Sequence, residues 1–301
     1  MLRWRILLGI LIVEVLVAFC WLDHYFEQEY LWHPGIWLLP LAVLFVYLGG
    51  REILQLAATI GIHPLPWTVH VGNLLLLGSN WFGLKWDIWG IFPSDFESSP
   101  ANEPLFALAI GVLLVFSGEM YRFQKPGGVL ANIAVGVFTI VYIGLMISCM
   151  AQLRIYRGVW GLASLIIVVK AGDIGAYTVG RLLGRTKMAP ILSPGKTIEG
   201  AIGALTFACF ASWLTFVWLI PATIPGGGGS GLYWGWIPFG LLVGATGMLG
   251  DLAESLIKRD VGRKDSSSWL PGFGGVLDIL DSVLLAAPVA WFCWVLGLVG
   301  R

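Results

Sequence analysis

The sequence predicts an all-α, polytopic integral membrane protein with about nine transmembrane helices and a cytoplasmic N-terminus. Charged residues are only 12% of the 301-residue chain, hydrophobic residues reach 57%, and the mean hydropathy is +0.83. Soluble domains have about 25% charged residues. The 18 Lys and Arg and 18 Asp and Glu of this chain are therefore too few to cover a surface that faces water on all sides. A soluble globular class is excluded.

Nine apolar stretches carry the helix prediction, since a membrane-crossing helix needs roughly 20 apolar residues. They lie near 6–22, 35–50, 66–84, 104–118, 129–150, 158–180, 200–221, 232–250 and 276–299. The first stretch contains Glu14 and lacks a small-residue cleavage site, so we expect a retained span rather than a signal peptide. Glycines at 172, 175, 180, 184, 200 and 203 are expected to let neighbouring helices approach closely.

The positions of Lys and Arg orient these spans, because cytoplasmic loops collect both residues. With the N-terminus inside, the cytoplasmic side holds Arg3, Arg5, Arg51, Arg122, Lys125, Arg181, Arg185, Lys187, Lys196, Lys258, Arg259, Arg263 and Lys264. The outer side holds only Lys85, Arg154, Arg157 and Arg301, and Lys170 lies within a span. The outer loops 23–34 and 85–103 are acidic. Nine spans then place the C-terminus outside.

A first polar cluster, Lys170 and Asp173, lies inside the sixth stretch. Residues three apart share a helix face and can pair. Ionisable groups within a span usually mark a site or pathway. A structural ion pair between helices is the alternative interpretation.

A second cluster, Ser193 to Gly200, opens the seventh stretch and contains Lys196 and Thr197. It is not a P-loop, because that motif needs Gly at position 190, where this chain has Pro. Backbone amides at a helix N-terminus, a lysine and two hydroxyls nevertheless suit a phosphate. An ordinary helix cap with a solvated Lys196 is the alternative.

A third cluster combines carboxylates with basic residues. Asp251, Glu254, Ser255 and Lys258 recur at i, i+3, i+4 and i+7 and form one polar helix stripe, and two carboxylates, Asp278 and Asp281, head the last apolar stretch. Mg²⁺ prefers such oxygen ligands and usually takes one or two carboxylates together with substrate phosphates. The cluster therefore predicts a magnesium–polyphosphate site. A solvated surface helix would explain the stripe but not the two aspartates.

The third cluster resembles the signature of phosphatidate cytidylyltransferases, also called CDP-diacylglycerol synthases. The resemblance rests on Ser255, Lys258, Arg259, Lys264, Asp265, Ser267, Leu270, Pro271, Gly274, Gly275, Val276, Asp278 and Asp281. Two positions depart from it: Phe273 replaces a family His and Ile279 a family Arg. The stretches Gly250–Ser255, Ser193–Gly200 and Asp173–Tyr177 are also family-like.

The resemblance implies an enzyme that joins CTP to phosphatidic acid, giving CDP-diacylglycerol and pyrophosphate in phospholipid biosynthesis. It also implies Mg²⁺ dependence, a homodimer, membrane lipid around the acyl chains, and the cytoplasmic (inner) membrane with the site facing the cytoplasm. Nucleic acid is not an expected partner. Region 1–157 would hold about five spans, and region 158–301 would hold the catalytic spans and loops.

Site roles follow from the same resemblance. Asp251, Asp278 and Asp281 are the expected metal ligands. Basic residues expected to neutralise the phosphates are Lys196, Lys258, Lys264 and Arg259. Hydroxyl residues expected to bind substrate are Ser193, Thr197 and Ser255. Acids expected to act as further ligands or to orient the basic residues are Asp173, Glu199, Glu254 and Asp265.

Two other functions remain open at this point. One is a membrane kinase that transfers the γ-phosphate of CTP to a polyprenol or similar lipid alcohol. The other is a transporter that uses the intramembrane pair Lys170 and Asp173.

The two departures from the family signature change its chemistry. Phe273 removes a possible proton carrier from the signature, and Ile279 removes a positive charge between two carboxylates.

Overall fold

The computed structural model describes residues 2–30, 33–82, 102–223, 234–267 and 274–300. Helices occupy most of them. Their bounds are α1 Leu2–Tyr30, α2 Leu39–Thr59, α3 Pro66–Phe82, α4 Asn102–Arg122, α5 Val129–Thr139, α6 Met146–Leu183, α7 Ile198–Trp213, α8 Ile220–Thr223, α9 Trp236–Asp260 and α10 Leu277–Val295. Single π-helical segments, Ile140–Leu145 and Leu214–Leu219, join α5 to α6 and α7 to α8.

The helices confirm an all-α polytopic membrane protein. Within the described ranges, seven helical segments are long and apolar enough to cross a membrane. One of them, Val129–Leu183, has 55 residues and contains two of the predicted stretches. It is interrupted at Gly158, whose φ of 71° and ψ of −172° are not helical. The 17-residue α3 is not among the seven. Nine spans and a cytoplasmic N-terminus stay predictions.

A short hairpin, which the all-α prediction did not include, precedes α7. Strands β1 (Lys187–Ala189) and β2 (Ser193–Thr197) pair antiparallel, with Lys187 opposite Thr197 and Ala189 opposite Ser193. The second predicted cluster thus lies on β2 and at the beginning of α7. Such a hairpin fixes the direction in which Lys196 leaves the backbone.

The chain forms two compact units. The first comprises Met1–Gln152 with Asp265–Leu277, and the second comprises Leu153–Lys264 with Asp278–Arg301. The core of the first unit packs α3, α4 and the first π-helical segment around Val69, Leu76, Val115 and Ile140. The functional division predicted at residue 157 stays a prediction.

Small residues pack the helices of the second unit closely. A Cβ on Gly175 of α6 would lie 2.6 Å from the carbonyl oxygen of Gly203 on α7, and a Cβ on Gly203 would lie 2.5 Å from Val179 Cβ. Helices in lipid associate through such close backbone approach, because lipid tails leave little hydrophobic drive between them. The structure thereby confirms the expected role of these two glycines.

Candidate active site

The candidate site lies in the second unit, where residues from all three predicted clusters pair with charged or polar partners. The pairs join side chains from α6, β2, α9 and α10.

Lys258 links α9 to α10. Its Nζ lies 2.9 Å from Glu254 Oε2 and 2.5 Å from Asp278 Oδ1. The side chains of Lys258, Glu254 and Asp278 are 11%, 0% and 10% exposed. A buried charge is costly unless it is paired and hydrogen-bonded. The lysine therefore lets two carboxylates lie close together away from bulk water.

Lys196 links the hairpin to α9. Its Nζ lies 2.8 Å from Asp251 Oδ2, and the two side chains are 21% and 40% exposed. This pair joins the second predicted cluster to the third. The Lys196 ammonium nitrogen itself is buried, whereas the Asp251 side chain is partly open to solvent.

Lys170, Asp173 and Ser282 form a third group, between α6 and α10. Lys170 Nζ donates to Asp173 Oδ2 at 2.9 Å, to Ser282 Oγ at 3.1 Å and to the Ile279 carbonyl at 3.4 Å. The Ser282 hydroxyl donates to Asp173 Oδ2 at 3.0 Å. The first predicted cluster is thus tied to the helix that carries Asp278 and Asp281.

Asp281 lies on α10 where this helix approaches α9. Its Oδ1 accepts the Ser282 backbone N–H at 2.5 Å. The α9 residue opposite is Gly250, where a Cβ would overlap the Asp281 carbonyl oxygen. A glycine at 250 therefore permits the close approach of α9 and α10 at the carboxylates.

The polar residues at the beginning of α7 have local structural partners. Thr197 Oγ1 accepts the Gly200 N–H at 3.1 Å and caps the helix. Glu199 accepts the N–H groups of Arg185 and Thr186, each at 3.1 Å. The capping interpretation of this cluster therefore describes Thr197, while Lys196 points to Asp251. Glu199 holds the connection between α6 and β1.

The other predicted residues lie near the lysine–carboxylate pairs in the sequence. Ser193 and Ser255 are half-buried on β2 and α9, and Lys264 and Asp265 are exposed after α9. Arg259 donates to the Leu192 carbonyl at 3.4 Å and to the Arg263 carbonyl at 3.3 Å. The positions Leu270, Pro271 and Phe273 lie outside the described residues.

The carboxylates of the site bear on whether it can hold a metal ion. In the described ranges, no group of three or more His, Cys, Asp or Glu residues has the arrangement of one. Asp251 and Asp278 each have one oxygen on a lysine. Mg²⁺ nevertheless needs only one or two protein carboxylates when substrate phosphates complete its shell. The hard oxygen donors of Asp251, Asp278 and Asp281 fit that requirement.

Sequence reasoning missed one member of the site, Ser282. It is 1% exposed and bonds both Lys170 and Asp173. The signal available in the sequence was weak: a small polar residue four positions after Asp278, beside Asp281. Serine occurs too often in membrane helices for that spacing to single it out.

Together, these features define a polytopic membrane protein with a lysine- and carboxylate-rich site built from α6, the β1–β2 hairpin, α9 and α10. Comparison with known proteins gives its family. Residues 4–296 match the model of the cytidylyltransferase family, so the chain belongs to that family. This confirms the resemblance found in the sequence.

Several curated relatives carry the name phosphatidate cytidylyltransferase. The protein of Synechocystis sp. is 30% identical over 297 residues, which cover 87% of this chain and 90% of the relative. The Chlamydia pneumoniae protein is 30% identical over 261 residues, covering 81% and 77%. The Haemophilus influenzae protein is 42% identical over 133 residues, covering 44% and 45%.

Proposed function

We propose that this protein transfers CMP from CTP to phosphatidic acid, giving CDP-diacylglycerol and pyrophosphate. The main support for this proposal is the family match over residues 4–296. Relatives named for this reaction support it further. The paired lysines and carboxylates suit it, because the substrates carry several negative charges. Neither a lipid-alcohol kinase nor a transporter is favoured by these relatives.

In this reaction a phosphate oxygen of phosphatidic acid attacks the α-phosphorus of CTP. A new P–O bond forms, the bond from the α-phosphorus to the bridging oxygen breaks, and pyrophosphate leaves with the bonding electrons. Such transfers depend on positioning and charge neutralisation more than on a covalent enzyme group. No nucleophile from the protein is needed.

The lysines of the site supply the charge neutralisation. Lys196 and Lys258 are held by Asp251 and by Glu254 with Asp278, respectively. A lysine ammonium has three N–H donors, so a carboxylate can orient it while another N–H binds phosphate. Lys258 is more buried than Lys196, and a low local dielectric strengthens its effect on a nearby anion. Lys264 and Arg259 would add charge from the exposed end of α9.

Magnesium is part of the proposal, with one or two carboxylates from the set Asp251, Asp278 and Asp281 as its protein ligands and substrate phosphates completing its shell. Bound Mg²⁺ would neutralise phosphate oxygens and help orient the leaving group. The residues of the chain hold the carboxylates for this purpose: Lys258 fixes Asp278, and the Ser282 N–H fixes Asp281. Asp173 acts one step away by binding Ser282.

We further propose nine spans, a cytoplasmic N-terminus and a site that faces the cytoplasm of the inner membrane. Support comes from the thirteen Lys and Arg residues assigned to that side. CTP is water-soluble, whereas the acyl chains of phosphatidic acid remain in lipid. A site at the cytoplasmic helix ends reaches both substrates.

A homodimer is the proposed assembly, on the basis of the family resemblance. Purified protein in lipid nanodiscs or detergent should have a protein mass of about two 32.8-kDa chains after the lipid or detergent contribution is subtracted. Light scattering with refractive-index and absorbance detection separates these contributions. A mass of one chain under conditions that retain activity would contradict the dimer.

The decisive experiment supplies purified protein with CTP labelled at the α-phosphate, Mg²⁺ and phosphatidic acid. The expected products are lipid-linked CMP and free pyrophosphate. Matched reactions replace phosphatidic acid with diacylglycerol or a polyprenol. No labelled lipid, alongside an active phosphatidate cytidylyltransferase as positive control, would refute the proposal.

The nucleotide product distinguishes the alternatives. A lipid-alcohol kinase would release CDP and leave the α-phosphate label in water, whereas a cytidylyltransferase leaves it on lipid. A transporter would support flux across proteoliposomes without CTP consumption. Either pattern would replace the proposed function with the corresponding alternative.

A further inference from the structure

Glu52 is a buried acid in the middle of an apolar helix. It lies on α2, a candidate membrane span, and is 3% exposed. An acidic side chain at such a position is costly and is rarely retained without partners. Its partners therefore indicate why the helix carries it.

Four donors from one distant segment converge on the Glu52 carboxylate. The Ser266 and Ser267 hydroxyls lie 3.0 and 3.1 Å from it, and the backbone N–H groups of Val276 and Leu277 lie at 3.0 and 2.8 Å. All five residues belong to the first compact unit. The bound segment lies 214 to 225 residues along the chain from Glu52. It is part of the family signature.

Gly275 packs directly against this contact. A Cβ at that position would overlap Ser266 Oγ and both oxygens of Glu52. The Ser267 hydroxyl also lies 3.3 Å from the Gly274 carbonyl. Glu52 thus binds the signature on both sides of positions 268–273, and one glycine of the signature leaves room for the carboxylate.

The contact also determines where α10 begins. Val276 directly precedes α10 and Leu277 is its first residue, where backbone N–H groups have no acceptor inside their own helix. A carboxylate at a helix N-terminus is favoured by the helix dipole as well. Asp278 is the next residue in the chain, and Asp281 follows one turn later. Asp278 therefore directly follows a residue whose backbone N–H donates to Glu52.

We infer that Glu52 is a positioning residue for the reaction: it anchors the signature segment and sets the start of α10, and hence the placement of Asp278 and Asp281. The inference rests on the proposed function for these two aspartates. Glu52 itself touches neither substrate in this role. In this role, α2 supports the position of the site residues in addition to packing within the first unit.

The test compares Glu52→Gln with Glu119→Gln. Glu119 is a matched control, because it is also a buried glutamate of the first unit, 2% exposed, on α4. Its partners are Arg122, at 2.6 Å, and Asn132, at 3.3 Å, both outside the signature. Each substitution removes one buried negative charge without changing the side-chain volume. General loss of stability should therefore affect both variants.

Two measurements are made on each protein in lipid nanodiscs: kcat for CMP transfer and hydrogen exchange of the backbone amides. Glu52→Gln should lower kcat by about ten- to hundredfold, as expected for losing hydrogen bonds to a charged group. Exchange in a peptide spanning 274–280 should become at least about tenfold faster. Glu119→Gln should retain kcat within about threefold, and its exchange changes should be confined to the segments around 119–132.

A double-mutant cycle with Ser266→Ala provides a second test. If the serine acts through Glu52, Ser266→Ala should lower kcat in the wild-type background but have little further effect in Glu52→Gln. Additive losses would overturn the inference. It is likewise overturned if Glu52→Gln and Glu119→Gln lower kcat equally, or if exchange in 274–280 is unchanged. A wild-type protein without CMP transfer would instead refute the proposed function, and the inference with it.

Discussion

Lys258 pairs with two largely buried acids of the site. Its ammonium separates Glu254 and Asp278, which are 0% and 10% exposed. Removing one partner of a buried ion pair is far more costly than never having the pair, because the remaining charges stay desolvated. The stability and the activity of this protein should therefore respond differently to changes at this position.

Lys258→Met should destabilise the protein by about 3 kcal/mol and abolish CMP transfer. The combination Lys258→Met with Glu254→Gln should recover much of the stability, because only one acid then remains beside the methionine, while activity stays absent. Thermal unfolding and labelled-CTP assays on the same preparations measure the two effects. Recovery of activity in the double variant would remove Lys258 from phosphate neutralisation.

Asp278 and Asp281 provide the second residue-scale prediction. Asp278→Asn and Asp281→Asn should each lower kcat by at least about 10²-fold, because both remove a charge from the site with little change in shape. Asp260→Asn is the matched control, since Asp260 is exposed at the end of α9. The control should keep wild-type turnover. Wild-type rates in either site variant, with normal unfolding temperatures, would exclude that aspartate from the site.

At the scale of elements, the backbones of α9 and α10 approach each other closely at Gly250. A Cβ on Gly250 would overlap the Asp281 carbonyl oxygen, whereas a Cβ on Gly247, one turn earlier on α9, would lie 3.4 Å from Val169 and 3.6 Å from the Ser282 carbonyl oxygen. The overlap at Gly250 requires the helices to move, whereas both distances at Gly247 are ordinary van der Waals contacts. The two glycines thus form a natural pair for comparison.

Gly250→Ala should displace α10 from α9, lower the unfolding free energy by about 1–3 kcal/mol and reduce kcat more than tenfold. Gly247→Ala should change the unfolding free energy by no more than about 1 kcal/mol, since alanine favours helix, and keep its activity. Denaturation and turnover of both variants check this. Equal activities would show that the carboxylates do not depend on this close approach.

The helix bounds show what the sequence could and could not predict at this scale. The sequence pattern predicts that the second apolar stretch ends near residue 50, where Arg51 and Glu52 interrupt the hydrophobic run, yet α2 continues to Thr59. The helix can continue because Glu52 receives donors from residues more than 200 positions away. The β1–β2 hairpin was missed because strands of three and five residues carry almost no periodic signal.

At the scale of the whole molecule, the three polar clusters were recognisable in the sequence because polar groups are rare in an apolar chain. Their pairings were not. Lys196 with Asp251 and Lys258 with Asp278 follow from helix packing that no local pattern specifies. Ser282, a hydrogen-bond partner of Lys170, lies 112 residues away along the chain. Composition thus locates the chemistry, while tertiary structure determines which charges act on each other.

The same scarcity of charge yields a prediction about orientation. Three single cysteines, His33→Cys, Gln124→Cys and Arg263→Cys, would be placed in a background without the four native cysteines, which are buried or half-buried. All three positions are exposed. A membrane-impermeant maleimide should label position 33 in intact cells, and positions 124 and 263 only in inside-out vesicles. The reason is that the segments around 124 and 263 are rich in Lys and Arg, whereas 23–34 is acidic.

The arrangement of the site makes this result consequential for function. Arg263 follows the helix that carries Asp251, Glu254 and Lys258, so its side of the membrane is the side from which CTP must arrive. The cysteine-free parent should remain active and unlabelled, which separates true accessibility from damage to the fold. Labelling of position 263 in intact cells, or of positions 33 and 263 from the same side, would reverse the proposed orientation. In that case the site would face a compartment without a supply of CTP, and the reaction assigned to it could not proceed in the cell.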